Sequence, residues 1–232
     1  LEEHNHSHSH NGEVKIKINQ KDMIEGDLIL PASGTAIKGI VIFAHGSGSS
    51  RHSPRSKYIA QVLNNVGIAT LVVDLLTLEE ETVDNLTKEH RFNIVLLAQR
   101  LITCTDWTLQ NPLLKNLKIG YYGASTGAAA ALVAAAARPN VISAIVSRGG
   151  RPDLAGKEVL DRIETPTLLI VGENDKTVIE LNQNALKLLT RIEKKKKLIL
   201  IPNATHLFEE EGALEEVARR TSGWFECFFL EQ

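Results

Sequence analysis

The stretch "YYGASTGAAAAL", residues 121–132, sets one serine between two glycines, after an apolar run and before a run of alanines. Gly123-Ala124-Ser125-Thr126-Gly127 is G-x-S-x-G in the strand-then-helix setting that this motif requires. A sharp strand-to-helix turn crowds any Cβ beside it, which explains the small residues around the serine. At such a tip the hydroxyl is exposed, and the N-terminus of the following helix favours negative charge. Ser125 is therefore a candidate nucleophile, with a purely structural turn as the competing reading.

A serine hydroxyl attacks only when a base takes its proton and a third group orients that base. "TLLIVG" is followed by "ENDKTV", which offers Glu173 and Asp175, and "KLILIP" is followed by "NATHLFEE", which offers His206. The order Ser125, Asp175, His206 is the nucleophile–acid–histidine order of elbow hydrolases, and each interval leaves room for a helix and a strand. Taken singly, His206 could be a core histidine and Asp175 a helix cap. Together, just past strand ends, they read as catalytic. A tetrahedral intermediate also needs two fixed N–H donors. One is expected from Thr126, and the second from Ser47 in the glycine-rich "FAHGSGSS", residues 43–50. That loop lacks the lysine of a P-loop, and no G-x-G-x-x-G opens a helix there, so a phosphate cradle is disfavoured.

Two strand-end loops carry arginines, Arg51 and Arg55 in "GSSRHSPRSK" and Arg148 and Arg151 in "VSRGGRPDLAG". A guanidinium matches carboxylate or phosphate bidentately, so one expectation is an anionic substrate. The other is a polar lid without a ligand, in which Glu79, Glu80 and Glu81 pair with these arginines.

These residues have to be positioned by something. "GIVIFAHG" (39–46), "IATLVVD" (68–74), "LKIGYYG" (117–123), "VISAIVS" (141–147), "TLLIVG" (167–172) and "KLILIP" (197–202) are short, nearly continuous apolar runs. Strands that read this way are buried on both faces, as in a parallel sheet covered by helices. "VKIKI" (14–18) alternates and is expected to pair antiparallel with "GDLILP" (26–31) at an edge. Helices are expected at about 54–65, 88–110, 125–137, 178–191 and 213–229. Ser53 and Pro54 open the first of them as N-cap and first-turn residue. The pattern predicts an α/β doubly wound sheet, mostly parallel, with helices on both faces and ligands at the carboxyl ends of the strands. Residues 13–232 read as a single domain without an internal repeat. About eighteen residues separate the strands near 147 and 166, too few for a cap domain, so small, water-accessible substrates are expected.

"AHGSGSS", "GASTG", "VGENDKTV" and "NATHLF" resemble the α/β-hydrolase superfamily, and within it the dienelactone-hydrolase-like group, over roughly residues 25–230. The resemblance implies Ser125 as nucleophile, His206 as base and then acid, and Asp175 as orienter. The namesake enzymes carry a cysteine nucleophile where this chain has Ser125, so the resemblance transfers fold better than substrate.

The remaining composition narrows the classes. Of 232 residues, 43% are hydrophobic and 23% charged, and a net charge of −2 gives no electrostatic case for nucleic acid or an anionic membrane. No apolar run approaches the ~20 residues of a membrane span, and a signal peptide is not expected from the polar opening residues. Cys104 and Cys227 show neither metal nor disulfide spacing, so a reducing, cytoplasmic setting is expected. Residues 1–12, with His4, His6, His8 and His10, read as a flexible tail or tag remnant. Lys194–Lys197 reads as a solvated loop, and Trp107, Trp224, Phe225, Phe228 and Phe229 as helix packing. The expected activity is hydrolysis of a small ester, lactone or thioester, with no metal and no organic cofactor. A non-catalytic binding module and an acyltransferase are the alternatives. Dehalogenation would want a carboxylate where Ser125 stands.

Overall fold

The computed structural model describes residues 11–231, so the histidine-rich segment expected to be a tail lies almost wholly outside the described residues. Eight strands form one sheet in the order β1-β2-β4-β3-β5-β6-β7-β8. Its centre consists of β3 (Gly39–Ala44), β4 (Ile68–Val73), β5 (Ile119–Ala124), β6 (Ile142–Arg148) and β7 (Thr167–Gly172). Every residue of β3, β4, β5 and β7 is buried, as continuous apolar strands between two helical layers require. β8 (Lys196–Ile201) closes one edge in parallel register. At the other edge β1 (Gly12–Lys17) pairs antiparallel with β2 (Met23–Ile29), which in turn pairs antiparallel with β4. β3 pairs with β4 on one side and β5 on the other, so the strand order reverses at β3. The crevice beyond β3 and β5 is the topological switch point, where open α/β sheets bind ligands.

The helices are α1 (Pro54–Asn65), α2 (Leu78–Thr87), α3 (Ile94–Gln110), α4 (Thr126–Ala137), α5 (Lys157–Arg162), α6 (Lys176–Leu188) and α7 (Ala213–Leu230). One face of the sheet packs Ile59 and Leu63 of α1 with Val217, Phe225 and Phe229 of α7. The other packs Leu97, Leu101 and Cys104 of α3 with the alanines of α4 and Ala185 of α6. Burying each large apolar side chain contributes about 1.5–3 kcal/mol. Ser53 caps α1 through a hydrogen bond to its Oγ from the Ser56 N–H, with Pro54 in the first turn.

Several expected boundaries move. The helix expected over 88–110 begins only at Ile94, and a separate helix, α2, precedes it. Thr77 and Glu80 form a capping box that starts α2, and Lys88 in a left-handed conformation (φ 60°) ends it. α2 has no apolar stripe, so hydrophobic periodicity could not reveal it; the T-x-x-E signature could. α5 does pack Leu160 and Val159 on the core, but at 6 residues it is too short to show a helical period. α6 starts at Lys176 rather than near 178, which leaves Asp175 at its N-cap position. β2 begins at Met23, three residues before the expected run. Lys196 and Lys197 belong to β8, an edge strand, rather than to a loop.

Candidate active site

The elbow is built by close approach. A Cβ on Gly127 would lie 2.2 Å from the Ala44 carbonyl oxygen, and one on Gly123 would lie 2.5 Å from Ala128 Cα. Only glycine lets α4 leave β5 so steeply. Between them Ser125 holds φ 52° and ψ −119°, a conformation that costs a non-glycine residue on the order of 1–3 kcal/mol. Three backbone bonds hold it there. The Ser125 N–H donates to the Arg148 carbonyl at 3.2 Å, and the Ser125 carbonyl accepts from Ala128 N–H at 3.1 Å and Arg151 N–H at 3.0 Å.

The loops after β7 and β8 bring the next two residues together. His206 Nδ1 lies 2.6 Å from Asp175 Oδ2, and the Asp175 side chain is only 15% exposed. With the carboxylate accepting, Nδ1 carries the proton and Nε2 the lone pair, the tautomer a general base needs. Glu173, the other acidic candidate, is used differently: its carboxylate accepts the Asn203 N–H at 2.8 Å and ties the two loops. Gly149, at φ 53°, packs on the imidazole; a Cβ there would stand 3.3 Å from His206 Cε1. Ser125 and His206 line one crevice of about 330 Å³, together with Gly46, Ser47, Arg55 and Arg148. No hydrogen bond joins Ser125 Oγ to the imidazole, a contact that in apo enzymes often forms only with substrate.

Ser47 and Thr126 face each other across the switch point, their hydroxyls 2.9 Å apart. Neither backbone N–H donates to another described residue. His45, to which sequence reasoning gave no role, pins this loop. Its Nδ1 donates to the Gly46 carbonyl at 2.9 Å, and its Nε2 accepts the Leu75 N–H at 3.0 Å. Desolvation holds its pKa below the ordinary imidazole value despite the Gly46 bond and nearby Asp74, so it stays neutral. Only its place directly after an apolar strand could have flagged it.

The four arginines part company. Arg148 is 6% exposed, lies 6.0 Å from the Tyr122 and Phe208 ring centroids, and has a buried Nε without a hydrogen-bond partner among the described residues, as Arg51 also has. Arg55 also lines the crevice, and its buried Nε is likewise unpartnered. Arg51 departs from the anion-binding expectation: its guanidinium reaches Glu13 at 2.8 Å, Glu25 at 2.9 Å, Asp27 at 3.5 Å and Asp74 at 3.6 Å. Arg151 also departs from it, held by Asp153 at 2.8 Å. The lid pairing with Glu79–Glu81 does not form either. Glu80 binds Arg100 of α3 at 2.6 Å, because both lie on the α2–α3 side of the sheet.

The sequence matches the Dienelactone hydrolase family over residues 24–228. The chain belongs to that family. A dienelactone hydrolase structure from Anabaena variabilis is 51% identical, covering 94% of this chain and 99% of its own, with a TM-score of 0.87. Est1E from Butyrivibrio proteoclasticus shares the fold at 17% identity and a TM-score of 0.77, over 95% of this chain and 100% of its own. A Mycobacterium tuberculosis protein, provisionally named a phosphoribosyl transferase, is 52% identical over 202 residues, 87% of this chain. This chain spans only 43% of that relative's length. Family membership and the 51% identical structure give the chain the α/β-hydrolase fold. No described helix is long and apolar enough to cross a membrane.

Proposed function

We propose that the chain hydrolyses a small ester, lactone or thioester through an acyl-enzyme on Ser125. The observation that carries this reading is Ser125 in its strained turn, facing one crevice with the His206–Asp175 pair. Ser125 Oγ attacks the substrate carbonyl carbon while its proton passes to His206 Nε2. The oxyanion accepts hydrogen bonds from the Thr126 and Ser47 N–H groups, aided by the α4 N-terminus. Collapse breaks the bond to the leaving alkoxide or thiolate, which takes the proton from Nε2. Water then attacks the acyl carbon, Nε2 takes its proton, and that proton returns to Ser125 Oγ as the acid leaves. Asp175 stays ionised throughout and stabilises the imidazolium.

Arg148, with Arg55, is proposed to hold an anionic group on the substrate, since a buried guanidinium without a carboxylate is costly until something pairs with it. Acyl transfer to an acceptor other than water uses the same groups. The transferase name of the mycobacterial relative, of which this chain spans 43%, refers to phosphoribosyl transfer, a different reaction from acyl transfer.

Intact-mass labelling with a fluorophosphonate tests the nucleophile. One adduct is expected on the wild type and none on Ser125→Ala, whose ester turnover should fall at least about 10⁴-fold. A folded wild type that takes no label would move the non-catalytic binding module ahead.

A further inference from the structure

α2 is an unusual helix. Its only buried residue is an aspartate, Asp84, while Leu78, Val83 and Leu86 are 65%, 40% and 84% exposed. Asp84 is not buried to fill the core. Its Oδ1 accepts from the His90 N–H at 2.9 Å and the Arg91 N–H at 3.0 Å, and its Oδ2 accepts from Arg91 Nε at 3.0 Å. Arg91 Nη2 closes the clamp by donating to the Asp84 carbonyl at 3.2 Å. A buried aspartate that accepts three bonds at its carboxylate and one at its carbonyl from one short loop, 88–93, immobilises that loop.

What the clamp presents is the Arg91 carbonyl. Ser47 Oγ donates to it at 3.1 Å and lies 2.9 Å from Thr126 Oγ1. A serine hydroxyl has one proton. Since that proton goes to Arg91, Thr126 must donate to Ser47, and the chain runs Thr126 Oγ1 to Ser47 Oγ to the Arg91 carbonyl. Ser47 and Thr126 are the two residues whose N–H groups the proposed mechanism aims at the oxyanion. The loop carrying Ser47 is flanked by Gly46 and by Gly48 at φ 70°, which give it little stiffness of its own.

We infer that Asp84 is a positioning residue for the oxyanion hole, acting through Arg91 and Ser47 to hold the Ser47 N–H in register with that of Thr126. This inference rests on the serine-hydrolase reading. A misplacement of about 1 Å in such a donor costs on the order of 10²-fold in rate, and the substrate's ground state does not feel it. The signature is therefore a loss in kcat at unchanged KM.

The test compares Asp84→Asn, Ser47→Ala and their double variant on a small neutral aryl ester, with fluorophosphonate labelling of each. Asp84→Asn is expected to lower kcat about tenfold and Ser47→Ala about 10- to 100-fold, with KM within about twofold. The double variant should be no slower than Ser47→Ala, because both break one chain. Glu80→Gln removes the Arg100 tie of α2 while leaving loop 88–93 intact, and should retain wild-type kcat. Arg91→Gln removes the two side-chain bonds of the clamp and leaves the His90 and Arg91 N–H bonds to Asp84, and it replaces Asp84→Asn, with a loss in kcat at unchanged KM still expected, if that variant does not fold. Wild-type kcat in Asp84→Asn, losses that multiply in the double variant, or an equal loss in Glu80→Gln would each overturn the inference. A wild type that neither labels nor turns over would instead sink the serine-hydrolase reading and take the inference with it.

Discussion

Arg51 and Arg148 both lie at carboxyl ends of the sheet and both are 6% exposed, yet among the described residues one is surrounded by carboxylates and the other pairs with none. The β1–β2 register accounts for the first. Glu13 stands opposite Asp27, and Glu25 is two residues from Asp27, so all three point to one face, where the Arg51 guanidinium lies across them. Burial lowers the pKa of that guanidinium, but the charges of Asp74, Asp27 and Glu25 outweigh it and hold the pKa above its ordinary value. Arg148 instead rests near two aromatic rings beside Ser125. Equal burial therefore carries opposite meanings. An arginine that the protein itself pairs with carboxylates is a staple, and one that lies against aromatic rings without a carboxylate among the described residues is the one proposed to meet a ligand.

The sharpest way to break this contrast is Arg51→Met. Removing the cation leaves carboxylates crowded at the hairpin, and a loss of about 3 kcal/mol in urea unfolding is expected, with turnover retained below the transition. A fully stable variant would end the staple reading. Arg148→Met should do the reverse. Its kcat/KM on an anionic ester should fall about 10- to 100-fold, the worth of one charged hydrogen bond of about 1.5–3 kcal/mol, while a neutral ester of the same size changes within about twofold. Equal losses on both esters would show that Arg148 only packs. Arg151→Ala, which removes a partly exposed pair with Asp153, should shift stability by less than about 1 kcal/mol and leave ester selectivity untouched.

The same contrast explains what was legible beforehand. β3, β4, β5 and β7 could be read because burial on both faces writes itself as an unbroken apolar run. The elbow could be read because steric exclusion of a Cβ leaves glycine as the only choice at 123 and 127. α2 could not be read from an apolar pattern, because polar clamps hold it: the capping box at Thr77, the Glu80–Arg100 pair and the Asp84–Arg91 pair. Nor could the fate of the arginines, since Arg51 finds partners 26 and 38 residues back along the chain. Periodicity records which face is dry. It does not record which charge meets which.

By itself the sequence determined the buried strands and the strand-end positions of Ser125, Asp175 and His206, because each follows from local sterics or from burial along one strand, while the family was legible only as a resemblance of motifs. Tertiary structure alone decided that Glu173 accepts the Asn203 N–H and ties two loops, and that Arg148 and Arg55 rather than Arg51 and Arg151 line the crevice. It alone also tied Ser47 to Arg91, 44 residues away. A hydrogen bond or an ion pair acts over about 3–4 Å, and only the folded chain sets which groups come that close.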